Sequence, residues 1–236
     1  TSIKSKKNLF SFFLLLSFLI HSRQGSANDV FVDAPQIVGG IDSSDLIGND
    51  GRCTLREAIA NTNADRQVHA DCEPGQVRVQ DVIHVPAGTL HTLQREQRAI
   101  TIETPVTIVG DAQNPPSISG NNLIRIFNIL INTRVTISDI LLINGNAGNA
   151  NGGCISNSGF LTIARSALNN CSSQEGGGAI YVDIDATLTL EDIQMVGNLA
   201  NWGGAIYAVG IDLTLNDVQF NANRAYEKGG AVYTIA

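Results

Sequence analysis

The sequence predicts an all-β protein, a parallel β-helix wound in coils of 25–29 residues, and three observations carry that prediction. First, a Gly-Gly pair heads Ala-Ile-Tyr at Gly177–Tyr181 and Gly203–Tyr207, and Ala-Val-Tyr at Gly229–Tyr233. A weaker copy, Gly152-Gly153-Cys154-Ile155-Ser156, precedes them, and the four copies start 25, 26 and 26 residues apart. Second, apolar-Thr-apolar triplets centred on Thr107, Thr136, Thr162, Thr189 and Thr214 recur at intervals of 29, 26, 27 and 25, each with the alternation of a strand. Third, these coils carry several short β segments and no helical period. Units of that kind stack as a solenoid, with coils about 4.8 Å apart. Glycine pairs suit its corners, where glycine takes positive φ without steric cost and lets backbone approach backbone. Asn198 and Asn223 fall at one turn, with Asn146 and Cys171 in or near the same column. Stacked amides there satisfy backbone groups that a sharp turn exposes.

The elements follow in order. Residues 1–27 read as a secretory signal peptide: Lys4, Lys6 and Lys7 lead, Leu9 to Ile20 is apolar but for Ser11 and Ser17, and Gly25-Ser26-Ala27 offers small residues for cleavage after Ala27. That run is too short to cross a bilayer as a helix, which takes about 20 residues, so the mature chain is expected to hold no membrane-spanning segment. Residues 28–80 form an N-terminal cap. Within it Thr54 and Glu57 make a capping box, and Leu55, Ala58 and Ile59 supply one apolar helical face. A short helix there would cover the open end of the solenoid and shield its first strand from edge pairing.

Residues 81–236 form the β-helix. It opens on "DVIHVPAGTL", a strand closed by a Pro-Ala-Gly turn, and "ITIETPVTIVGD", two short strands. The longer irregular stretches are 111–120 and 144–152. Ala236 follows a strand with its coil unfinished, so the coils are expected to continue beyond it.

The leader carries four of the 15 basic residues and none of the 22 acidic ones, leaving 11 against 22, a net charge of −11. Such a surface is poor for phosphate backbones and excludes nucleic acid as the expected partner. Four cysteines in an exported chain favour disulfides over metal or redox chemistry. Cys53 and Cys72 flank one small element and are expected to pair; Cys154–Cys171 is a candidate second bridge, with other connectivities open.

"CTLREAIANTN", residues 53–63, resembles the CSLREA motif that heads secreted bacterial β-helix proteins. The Gly-Gly copies resemble the repeat of chlamydial polymorphic outer membrane proteins, which combines Gly-Gly-Ala-Ile with Phe-x-x-Asn. Phe220–Asn223 matches the second half fully, Met195–Asn198 matches with Met for Phe, and Leu168–Cys171 departs at both ends. These resemblances cover most of residues 50–236. They imply a right-handed, pectate-lyase-like parallel β-helix, exported and displayed on a bacterial cell surface or outer membrane, in families tied to adhesion.

If Ile180, Ile206 and Val232 point inward, Tyr181, Tyr207 and Tyr233 form an outward ladder, a candidate contact face for an extracellular glycan or a protein surface. The alternation does not by itself choose that sign. Asp183 and Asp185, with Asp212 one coil along, are the weak candidates for calcium, the one cofactor these residues would suit. Asp139, Arg165, Asp192 and Asp217 occupy equivalent positions, which read as turn residues with one salt bridge. The histidines show no metal or triad spacing. No catalytic residue is assigned. The expected function is a non-catalytic binding or adhesion module. The alternatives are a polysaccharide lyase or glycoside hydrolase on the same scaffold, and a structural surface stalk.

Overall fold

In the computed structural model, which describes residues 29–38, 41–42, 45–77, 79–95, 98–210 and 212–235, the chain winds into a parallel β-helix. A six-stranded parallel sheet takes one short strand from each coil, in the order Ile100–Ile102, Phe127–Ile129, Ile155–Asn157, Ile180–Val182, Ile206–Val209, Val232–Ile235. A ten-stranded sheet supplies the other two faces, its later strands running through the corner between them, as in Phe160–Asn169, Thr187–Val196 and Leu213–Asn221. The predicted leader, residues 1–27, lies outside the described residues.

The threonine triplets stack residue for residue: Thr107 pairs with Thr136, Thr136 with Thr162, Thr162 with Thr189 and Thr189 with Thr214. Their flanking residues, among them Ile108, Ile137, Ile163 and Leu190, are completely buried and fill the interior. Asp139, Arg165, Asp192 and Asp217 make the corner, each with positive φ (59°, 45°, 54° and 52°). Aspartate tolerates that conformation better than most side chains.

Each half of the Gly-Gly pair answers a different demand. The first, at Gly177, turns the chain at φ +68°, which an L side chain adopts only with strain. The second, Gly178, lies so close to the next coil that a Cβ would collide with the carbonyl oxygen of Gly204. The repeat therefore keeps two glycines because one turns and the other lets coils approach.

The asparagine column forms as a hydrogen-bonded ladder. Buried Asn198 accepts from the Cys171 N–H at 2.9 Å and donates from Nδ2 to the Leu168 carbonyl and to Asn223 Oδ1, both at 2.9 Å. Asn223 donates in turn to the Met195 carbonyl. Asn146 sits one position away, bridged to Ser172, because Gly145 takes the place above Cys171. Cys171 itself is bonded to Cys154, joining the turn to the neighbouring Gly-Gly strand, and Cys53 is bonded to Cys72.

The cap contains the helix Leu55–Asn63 with both halves of the capping box formed, and Leu55, Ala58 and Ile59 buried. It lies over the edge strand Ile100–Ile102, where Asn63 donates to the Thr101 carbonyl and accepts from the Glu103 N–H, taking the place of a neighbouring strand. Asp29–Phe31 and Ser117–Ser119 are among the strands that the sequence pattern does not show. Asp29–Phe31 pairs in parallel with Asp81–His84 and covers the other sheet, so helix and strand share the capping. Ser117–Ser119, inside the stretch expected to be irregular, pairs with strands on both sides. Three residues behind two prolines are too short to show a period in sequence, and pairing in the stack decides them.

Candidate functional site

The sign of the alternation on the six-stranded sheet is set by burial. Ile180 and Ile206 are completely buried, and Tyr181, Tyr207 and Tyr233 project from the opposite face, each half-buried. In-register pairing places Tyr181 beside Tyr207 and Tyr207 beside Tyr233. Ring centroids are 5.6 Å apart at both steps, tilted by 43° at the first and nearly parallel (11°) at the second. Rings at this spacing cover one another's flanks, and their outer surfaces make a continuous apolar strip.

Neighbouring residues fix the row. The Tyr207 ring lies on the backbone at Gly176, where any Cβ would occupy the ring's place. Trp202 stands 6.2 Å from Tyr207, its indole N–H donating to Glu227 at 2.7 Å, and the Lys228 ammonium lies 5.6 Å over Tyr233. Tyr181 donates its hydroxyl to Asp183 at 3.1 Å. Burial foremost, then the charge of Asp183, pushes the Tyr181 pKa up to about 12, so the phenol stays a neutral donor. Trp202 was not anticipated as part of this face. Its signal was present, since the chain's only Trp directly precedes a Gly-Gly pair, but its reach across coils depends on the stacking.

The structure does not gather the calcium candidates. Asp183 accepts from Tyr181, from Ser158 Oγ at 3.0 Å and from the Ile184 N–H at 2.9 Å. Asp185 is an exposed turn residue with φ 64°. Asp212 precedes the Leu188–Leu213 pair and so aligns with Thr187, two positions past Asp185. Among the described residues no three His, Cys, Asp or Glu side chains cluster as a metal would require.

At the corner, Arg165 grips Asp139 with two hydrogen bonds of 2.8 and 2.7 Å. That contact holds the Asp139 carboxyl below its ordinary pKa. Asp192 and Asp217 remain exposed turn residues. The histidines are separate: His69 lies near Glu57, His84 stacks on Phe31 beside Asp29, and His91 is buried against Thr89.

Residues 217–235, the corner of one coil through its Gly-Gly strand, match the model of the Chlamydia polymorphic membrane protein (Chlamydia_PMP) repeat. The chain carries that repeat. It is also 43% identical over 67 residues to the probable autotransporter YfaL of Escherichia coli (strain K12), a match that spans 25% of this chain and 5% of that protein's length. No solved structure matches the chain. The two likenesses place the β-helix at a bacterial cell surface or outer membrane. The CSLREA-type resemblance around Cys53 rests on the sequence alone. Among the described residues no helix is long and apolar enough to cross a membrane.

Proposed function

We propose that this β-helix is a non-catalytic binding module at the cell surface, an adhesion element whose contact face is the Tyr181–Tyr207–Tyr233 row, flanked by Trp202. The observation that carries the reading is the row itself: three aromatic rings in register at 5.6 Å steps on a rigid sheet. Such a strip stacks on sugar rings or seats a partner's apolar side chains, and its order is fixed before binding, so little entropy is lost on contact. The polymorphic membrane protein repeat and the autotransporter likeness support a surface location for such a face.

The test is a binding screen of the chain against glycans, polysaccharides and surface proteins, with and without calcium, and with a watch for depolymerisation. Tyr207→Ala removes the central ring and should weaken binding tenfold or more, roughly the effect of losing an interface anchor. Calcium-dependent cleavage that needs Asp183 or Asp185 would replace this reading with the polysaccharide-degrading one. Absence of any binding would leave the stalk.

A further inference from the structure

The turn between the second strand of each coil and its Gly-Gly strand holds the longest connections in the solenoid, and two neighbouring cavities open along it. The first, about 500 Å³, is lined by Arg95, Arg98, Asn122, Arg125, Asn146 and Gly148 among others, with no acidic side chain among the described residues that line it. The second, about 690 Å³, shares Asn146 and continues along Ser172, Gln174, Glu175 and Asn201 to Tyr226. Together they cross from the first coil to the sixth, five steps of about 4.8 Å, or roughly 24 Å.

The charge distribution is the anomaly. Outside the leader the chain has ten arginines against 22 acids, yet three of the ten meet in this one cavity. Arg125, half-buried, donates to the carbonyls of Asn151 and Gly152 at 2.6 and 2.9 Å and forms no carboxylate pair among the described residues. Burial lowers its pKa from the ordinary value, but a guanidinium stays charged in a protein. Arg95 and Arg98 are exposed at the cavity mouth. A partly desolvated cation held only by neutral carbonyls, with two more at its entrance, suits an anion. The second cavity has the opposite chemistry. Its amides and hydroxyls match sugar hydroxyls, exposed Tyr226 offers a ring face, and Glu175 disfavours a second anion there.

We infer that this groove is a saccharide site separate from the tyrosine row, taking an acidic sugar at Arg95, Arg98 and Arg125 and neutral sugars along Asn146, Gln174, Asn201 and Tyr226.

The experiment titrates the full chain with 3′-sialyllactose, 3′-sulfolactose, lactose and inorganic phosphate, and repeats this for Arg95→Ala/Arg98→Ala and for Tyr207→Ala. Arg125 is left intact because it holds the backbone. The expected result is that 3′-sialyllactose binds and lactose binds at least tenfold more weakly. The double variant should fall to the lactose level with its thermal midpoint unchanged, each arginine contributing roughly a tenfold factor through its charge-assisted hydrogen bonds. Tyr207→Ala should leave this binding intact, which separates failure here from failure of the tyrosine face. Equal binding of 3′-sulfolactose would widen the anion to sulfate while keeping the site. Equal binding of lactose, full retention in the double variant, phosphate binding as tightly as the saccharide, or no binding by any probe would overturn the inference.

Discussion

Replacing Asn198 by Ala tests whether the amide ladder, rather than the apolar interior alone, holds the coils in register. Asn198 is fully buried and makes three side-chain hydrogen bonds, to the Cys171 N–H, the Leu168 carbonyl and Asn223 Oδ1, each of 2.9 Å. The variant strands the Cys171 N–H in a dry turn, which costs about 1–3 kcal/mol. The lost donor contacts to Leu168 and Asn223 add about 0.5–1 kcal/mol each, for a total of about 3 kcal/mol. For a chain of this size that corresponds to a fall of about 6–12 °C in Tm. Thermal unfolding followed by circular dichroism, with urea unfolding as a second measure, reads the change. Asn198→Asp is the companion: it can still accept from Cys171 but points oxygen at two acceptors, and should lose at least as much. Asn223→Ala, in a less buried position, should lose about 1 kcal/mol. A shift below about 0.5 kcal/mol for Asn198→Ala, the level of an ordinary surface change, would refute the reasoning and assign register to the core alone.

Further outcomes follow from the glycines and the carboxylates. Gly178→Ala should destabilise by about 2 kcal/mol because its Cβ meets the neighbouring coil's backbone. Gly48→Ala, in the cap with open space around it, should be neutral or stabilising by up to about 1 kcal/mol, so a loss equal to that of Gly178→Ala in urea unfolding would undo the close-approach account. The Asp139 pKa is depressed by Arg165, so the contact's stabilisation is present above the unfolded carboxyl pKa of about 3.9 and is lost as pH falls through the folded value. Arg165 is largely exposed, so the loss should stay within about 1 kcal/mol, and Asp139→Asn should abolish that acid-side slope. Asp81 behaves in the opposite sense. Burial pushes its carboxyl up to about 6, so its protonated form favours folding, and that stability is lost as pH rises through about 6. Urea midpoints should therefore be higher at about pH 5 than at about pH 8, and Asp81→Asn should flatten the difference; a wild-type midpoint that rises with pH in this window counts against the assignment.

The solenoid was legible because its information is one-dimensional. In a parallel stack each residue meets its counterpart one period away, so the spacing of Thr107, Thr136, Thr162, Thr189 and Thr214 is already the pairing register. The same holds for the Gly-Gly turns, and for the capping box at Thr54 and Glu57, whose partners lie three residues apart. Cys154 and Cys171 bond because period and turn bring the two columns together, which spacing alone left open.

What the tertiary structure decided were matters of sign, offset and convergence. Alternation places Ile180 and Tyr181 on opposite faces but does not say which faces the interior; closure of the coil does. Turn lengths between columns moved Asn146 off the amide ladder and aligned Asp212 with Thr187 instead of the earlier aspartates. Arg95, Arg98 and Arg125 share no repeat motif, and meet only because turns of different length from successive coils enclose one cavity. A repeat fixes what lies directly above each residue, whereas a site built from turns depends on how far each connection departs from the period.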